Sequence, residues 1–577
     1  MNGGELVAGV LAGRGVRFLF TLCGGHISPV LVECKRLGLR VVDVRHEANA
    51  VFAADAVSRL TGVPGVAAVT AGPGATNTIT ALKNAQMAQS PIVLLGGATA
   101  TVLKDRGSLQ DIDQMALMAP HVKWAASVSR LKHLAPMLEY AFDTAQGGVP
   151  GPVFLELPMD LLYDEALVRQ WYGLGGGEGR RSLAQRAQRA YLSWHAGRLF
   201  RGARPEQEEP RSRPAVEQVP PRLVRRAAVA IGRARRPVMI VGSQVTLEAE
   251  EVRAAAAAVE RLGLPVYLSG MARGLLGKNH RLQLRHQRRV ALREADLVLL
   301  VGVPSDFRLD YGRHVASGTR LLAVNRSPVD LVKNRRPDLA CAGDPGRFLQ
   351  ALAGEVEIEE DVIAGWLDKL HDRDAEREAD IDQRAALATE YVNPLRLFRE
   401  LETFLGEDTI LVADGGDFVA TAAYTLSPRG PLSWLDPGVF GTLGVGGGFA
   451  LGAQLCRPEA EVWILYGDGS SAYSLAEFDT FVRHRLPIYA IVGNDGSWAQ
   501  IAREQVEILG DDVGTVLRRT NYHTVAEGFG GRGFLLDRPE MIEPTLRAAR
   551  AAHNVGMPVL INAWLGATDF RKGSISM

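Results

Sequence analysis

Four cysteines in 577 residues, Cys23, Cys34, Cys341 and Cys456, are scattered without metal-ligand spacing and exclude a disulfide-framed secreted fold. No apolar run reaches 18 residues, and no secretory leader opens the chain. Net charge is missing too, since 65 basic residues meet 65 acidic ones. A balanced surface offers no support for a nucleic-acid partner. Repeats at solenoid spacing are absent. So is a clean GxGxxG after an early strand with an acid about 20 residues on, which argues against a nicotinamide oxidoreductase. The expectation is a cytoplasmic protein with no membrane span.

What the chain does contain is glycine, 62 residues of it, often where a strand is expected to end. With 47% hydrophobic and 23% charged residues, this length calls for two to four packed α/β domains. A first block, 1–165, alternates helices with strand candidates Phe18–Phe20, Val41–Val44, Val66–Thr70 and Ile92–Leu95. A stretch rich in Arg, Gln, Gly, Glu and Pro follows, and 166–220 reads as linker or loop. The central α/β block, 221–356, has strands at Pro237–Val241, Leu264–Gly270, Asp296–Gly302 and Arg320–Asn325. A charged helical connector occupies 357–392, and a last block, 393–577, repeats the opening theme from strand Thr409–Val412 onward.

Chemistry concentrates in the last block. Val462–Tyr466 and Ile488–Val492 read as buried parallel strands joined by a helix carrying Leu475, Phe478, Phe481 and Val482. Asp468, in Gly467-Asp468-Gly469, and Asp495 then lie at neighbouring strand carboxyl ends, where ligands of such sheets gather. Two hard oxygen ligands suit Mg²⁺ if further oxygens complete the shell, although a turn and a surface loop would give the same letters. Gly438–Gly448 holds six glycines, so its backbone can lie against a planar ring. In the first block Glu47 follows a strand at a helix start, where an acid is favourable without any further role. His26, in a glycine-rich turn, reads equally as a substrate-facing donor or a structural histidine.

Asp468 with Asp495, the "GTLG" stretch at Gly441–Gly444 and Glu47 together resemble the thiamine-diphosphate enzymes of the acetolactate synthase and 2-hydroxyacyl-CoA lyase superfamily. The likeness runs over essentially the whole chain. One departure is Asn494-Asp495, where the family pattern ends Asn-Asn. The resemblance implies three domains: pyrimidine-binding, central, and diphosphate- and Mg²⁺-binding. It makes Asp468, Asp495 and the Ser497 carbonyl the metal ligands. Gly467, Gly469, Ser470, Asn494, Asp414, Gly416 and Asp417 would lie on the diphosphate side. Gly441 and Leu443 would lie against the ring system. Glu47 would activate the cofactor from a second subunit, which implies a homodimer or homotetramer.

Substrate choice follows from smaller signs. Leu109-Gln110-Asp111 stands where acetolactate synthases resembling this chain carry Phe-Gln-Glu. Gln110 is kept as a possible substrate contact, while the aromatic wall for a second keto acid is not. "NAQMAQSPIVLLGGA", "EFDTFVRHRLPIYAIVGNDGSWAQIAREQ" and the terminal "GATDFRKGSISM" resemble the lyase branch. Animal members of that branch carry an amino-terminal membrane anchor. This chain opens on the first block and is expected to be soluble. The implied reaction cleaves a 2-hydroxyacyl-CoA to formyl-CoA and an aldehyde one carbon shorter, with the reverse condensation open. Acetolactate synthesis or a related 2-keto acid decarboxylation is the alternative. Arg308, Arg313, Arg326, Lys333, Arg571 and Lys572 are candidates for the CoA phosphates, or else ordinary surface charges.

Overall fold

The computed structural model describes residues 2–175, 182–202, 214–356 and 360–572. The chain divides into two compact units, Met1–Ser58 with Val63–Ala215, and Arg59–Gly62 with Val216–Met577.

The first unit is built on a parallel six-stranded sheet. Its strands are β1 (Phe18–Leu22), β2 (Arg40–Asp43), β3 (Gly65–Val69), β4 (Ile92–Ala98), β5 (Trp124–Ser127) and β6 (Val153–Pro158). Their order is β2-β1-β3-β4-β6-β5. β3, β4 and β6 are buried along their whole lengths, as expected of strands covered on both faces. The chain steps outward from β1 to β2, then returns to the other side of β1 for β3. This reversal opens a crevice at the carboxyl ends of β1 and β3.

One expectation is corrected here. Within 166–220, read as linker or loop, Glu165–Trp171 and Leu183–Phe200 are helices. The second starts on a reciprocal cap in which Ser182 and Gln185 each accept from the other's backbone N–H. Its Leu199 and Phe200 reach the apolar core of the sheet. The helix has little amphipathic contrast along most of its length, so periodicity did not disclose it. The low-complexity letters at 203–213 lie outside the described residues, as do the last five of the terminal "GATDFRKGSISM".

The second unit carries two more parallel sheets. The central one contains β7 (Pro237–Val241), β8 (Val266–Leu268), β9 (Gln283–Leu284), β10 (Leu297–Val301), β11 (Arg320–Asn325) and β12 (Leu339–Ala342), in the order β12-β11-β10-β7-β8-β9. The other contains β13 (Ile410–Asp414), β14 (Trp434–Leu435), β15 (Val462–Gly467), β16 (Tyr489–Asn494), β17 (Arg532–Leu536) and β18 (Val559–Trp564), in the order β14-β13-β15-β16-β18-β17. Its strand order repeats that of the first unit's sheet, and its reversal falls between β13 and β15. The charged connector is a 26-residue helix, Glu360–Ala385, anchored by Ile363, Trp366 and Leu370.

Candidate active site

In the second unit, three strand ends converge. β15 runs into Gly467 and Asp468, β16 into Asn494 and Asp495, and β13 into Asp414, Gly415 and Gly416. The register pairs Gly467 with Gly493 and Asp414 with Tyr466, so all three turns open at one edge of the sheet. Asp468 is 3% exposed and accepts from the backbone N–H of Gly469 (2.8 Å) and Gly496 (2.8 Å). Asp495 accepts from the Ser497 N–H at 3.0 Å. Burial pushes the Asp468 carboxyl up to about 6. Burial, and then the neighbouring Asp468 charge, push Asp495 up to about 7.

Two neighbouring, largely buried carboxylates are what a divalent cation would relieve. The buried Asn494 Oδ1 beside them has no protein partner, while its amide donates to Thr520 and Asn562 oxygens. Among the described residues, no group of three or more His, Cys, Asp or Glu side chains could hold a metal. A cation here would therefore take its remaining ligands from a backbone carbonyl and from an oxygen-rich ligand such as a diphosphate. The donor set fits that description.

The glycines around these turns have assignable reasons. A methyl on Gly469 would lie 2.5 Å from the Trp498 indole, so the backbone can pass beneath that ring only as glycine. Gly441 and Gly444 take left-handed φ of +64° and +89°, and between them Leu443 remains half-exposed.

Several expected contacts turn inward. Asp414 is fully buried and accepts from Gly444 N–H (3.0 Å) and Gly446 N–H (2.7 Å), fastening the glycine loop to β13, while burial pushes its carboxyl up to about 7. Asp417 pairs with Arg503 at 2.6 Å and faces Arg571 at 3.6 Å. The Ser470 hydroxyl donates to the carbonyls of Asp414 (2.5 Å) and Gly467 (3.0 Å). These three side chains are taken up by contacts within the chain that build the cradle.

In the first unit, the structure gathers the remaining candidates at the carboxyl edge of its sheet. Glu47 opens the helix Glu47–Thr61, is 5% exposed, and accepts from Asn77 Nδ2 at 2.9 Å. Asn77 was missed from the sequence. It ends the short turn of helix Pro73–Thr76 after Gly72, whose φ of +61° sets the turn, and nothing in its letters points to Glu47. His26 Nδ1 lies 3.0 Å from the Thr70 hydroxyl, and burial holds its pKa below the usual value. Gln110 has a left-handed φ of +64° and packs on Gly72 so closely that a methyl there would meet its Cβ at 2.9 Å. Its neighbour Leu109 is 83% exposed.

Of the candidate phosphate-binding cations, Arg326 is engaged by Asp344 (2.6 Å) and Glu248 (2.6 Å), Lys333 by Asp330 (2.5 Å), and Arg313 by Asp310 (2.8 Å). Arg308 is bidentate to Asp306.

Two switch-point sites, one with a carboxylate pair and one with a buried glutamate, suit an enzyme that holds a diphosphate-bearing cofactor. The chain belongs to the thiamine pyrophosphate enzymes. It matches their N-terminal TPP binding domain over residues 1–117, their central domain over 224–352 and their C-terminal TPP binding domain over 414–563. It is 49% identical to 2-hydroxyacyl-CoA lyase 2 of Bos taurus, over 100% of this chain and 92% of that protein. The same enzyme of Danio rerio is 50% identical over 100% and 93%. An acetolactate synthase large subunit of Mycobacterium tuberculosis is 34% identical over 97% and 95%. No helix among the described residues is long and apolar enough to cross a membrane.

Proposed function

We propose that this chain is a carbon–carbon lyase that cleaves a 2-hydroxyacyl-CoA to formyl-CoA and an aldehyde one carbon shorter, or joins them in reverse. The observation that carries this reading is likeness of about half of all residues, over 100% of this chain, to proteins named 2-hydroxyacyl-CoA lyase 2. Thiamine diphosphate, when bound, supplies a carbon nucleophile and an electron sink for the otherwise unstable acyl carbanion.

Asp468, Asp495 and the Ser497 carbonyl would hold Mg²⁺. Backbone donors of Gly416 and Ser470 would meet the diphosphate, with Gly467, Gly469 and Asn494 alongside. Gly441 and Leu443 would border the ring end. Glu47, kept in place by Asn77, would exchange a proton with the cofactor's ring nitrogen. His26, whose charged form burial disfavours, would donate to a substrate oxygen, and Gln110 would offer an amide to the same substrate.

A Glu47 that serves the carboxylate pair of another copy makes the working form at least a homodimer. A cytoplasmic location belongs to the same proposal and is supported by four free thiols.

The test is a paired assay with thiamine diphosphate and Mg²⁺. One arm supplies a synthetic 2-hydroxyacyl-CoA and the other pyruvate. Formyl-CoA with the shortened aldehyde is expected in the first arm. Acetolactate from the second, with nothing from the first, overturns the proposal.

A further inference from the structure

Within the first unit, two polar side chains lie buried near the carboxyl ends of β4, β5 and β6: Gln114 and Glu156, each 2% exposed. Gln114 opens the short helix Gln114–Met118, which Asp113 caps by accepting from the Ala116 N–H at 2.9 Å. Its amide is fully used. Nε2 donates to the Glu156 carboxylate (3.0 Å) and the Gly97 carbonyl (3.0 Å), while Oε1 accepts from the Gly72 N–H at 3.2 Å. Turning the amide over would set its oxygen against two acceptors and its NH₂ against a donor, so one orientation is fixed. Glu156 in turn accepts from the Ser127 hydroxyl at 2.6 Å and faces Lys104 at 3.5 Å.

Gly72 is thereby gripped twice. Gln114 holds its N–H, and Gln110 packs so close that a methyl on Gly72 would lie 2.8 Å from the Gln110 carbonyl oxygen. From Gly72 one tight turn leads to Asn77. The Thr76 N–H donates to the Gly72 carbonyl (3.0 Å) and the Asn77 N–H to the Pro73 carbonyl (3.0 Å). A turn bonded in this way carries a displacement of its first residue to its last. Asn77 then holds Glu47 at 2.9 Å. A line of hydrogen bonds thus runs from Glu156 through Gln114 and the Gly72 turn to Glu47. Lys104 and Gln110 belong to one stretch of chain, which touches this line at Glu156 and again at Gly72.

We infer that Gln114 is a positioning residue for the proposed reaction: backed by Glu156, it sets the Gly72–Asn77 turn and, through Asn77, the carboxylate of Glu47. The inference rests on the reading of Glu47 as the group that exchanges a proton with the cofactor. Proton transfer requires the two heavy atoms within hydrogen-bond reach, so a slackened turn costs rate rather than binding. The proposed cation and diphosphate contacts lie in the other unit and do not depend on Gln114. Removing the amide also leaves the Gly72 N–H and one Glu156 oxygen buried without a partner, which loosens the turn at its start.

The experiment compares the full-length wild type with Gln114→Leu, which keeps the bulk and removes the hydrogen bonds. For whichever substrate the paired assay supports, kcat is expected to fall on the order of 10- to 100-fold, with KM and thiamine diphosphate affinity changed by about twofold or less. In the cofactor-free protein, amide exchange of 72–78 should quicken while that of β3 does not. Gln114→Glu sets two carboxyl groups face to face and should lose activity as well. Adding Glu156→Gln returns a donor between the two side chains, keeps an acceptor for the Gly72 N–H, and should recover most of the loss. Unchanged kcat in Gln114→Leu, a loss shared equally by KM and cofactor affinity, or no recovery in the exchanged pair overturns the inference. Glu47→Gln, measured alongside, tells the two readings apart. If it keeps full turnover, the role of Glu47 falls and this inference with it; if it is inactive beside a fully active Gln114→Leu, only this inference falls. Should the substitutions prevent folding, the wild-type Gly72 amide decides. It should exchange as slowly as the buried amides of β3, and exchange at the rate of an exposed loop overturns the inference.

Discussion

At the scale of single residues, the buried carboxylates of the unit-two site cost stability that the proposed cation would offset. Asp495 has an ordinary carboxyl pKa near 3.8 when unfolded and about 7 in the cation-free fold. Between those values the folded state holds more protons than the unfolded one. This carboxyl therefore favours the fold at low pH, and that contribution is lost as pH rises through about 7. Asp495→Asn removes the cost, so the cation-free variant should melt about 2 °C or more above wild type at pH 8 while losing most of its Mg²⁺ binding. Under the proposed ligation, protons and metal would compete for the same oxygens. Calorimetric Mg²⁺ affinity in the presence of thiamine diphosphate should thus fall about tenfold per pH unit below 7, and more steeply below 6 as Asp468 also protonates. A flat profile from pH 8 to 5.5 would contradict this pairing. Glu47→Gln separates the other function: it leaves the cation and diphosphate contacts alone, and kcat should fall on the order of 100- to 10,000-fold with cofactor affinity little changed.

At the scale of elements, the helix Leu183–Phe200 is tied to the first sheet by a small polar network. Asp160 is fully buried and accepts from the Thr101 N–H (2.8 Å), the Thr101 hydroxyl (2.6 Å) and the Tyr172 hydroxyl (2.6 Å). The single Thr101 hydroxyl proton goes to the carboxylate, so His195 Nε2, 2.7 Å away, is the donor in that contact. Thr101→Val leaves the carboxylate one donor short and should cost about 1–3 kcal/mol, seen as faster hydrogen exchange confined first to 183–200. Unchanged protection there would show that the apolar contacts of Leu199 and Phe200 suffice. This network was invisible in the sequence because its members lie at 101, 160, 172 and 195, with no local spacing to join them. Strands were legible where they form unbroken apolar runs, as in Pro237–Val241 and Arg320–Asn325, which coincide with β7 and β11. Trp124–Ser127, half-exposed throughout, and the two-residue β9 and β14 are edge strands without that signal and were not read, and neither were the buried β6 and β18. The same contrast holds for the site. Asp468 and Asp495 announce themselves by following buried strands, whereas Asn77 is placed by a tertiary turn.

At the scale of the whole molecule, the two sheets that carry the candidate residues share one strand order, and each gathers its residues at its own reversal point. One contributes Glu47 and the other the carboxylate pair, so neither is sufficient for the proposed chemistry. Whether Glu47 serves its own chain or another can be read from mixing two inactive variants, Glu47→Gln and Asp468→Asn. If each site combines Glu47 of one copy with the carboxylates of its partner, a mixed dimer concentrates both defects in one site and leaves the other intact. Random reassortment makes half the dimers mixed, so activity should return to about a quarter of wild type. If each site is built within one chain, every site in the mixture keeps one defect and nothing is regained. The readout is the time course of activity after co-refolding or subunit exchange, with native mass spectrometry confirming mixed species. Mixed dimers without recovered turnover would refute the shared site while leaving the carboxylate pair, and its competition between proton and cation, untouched.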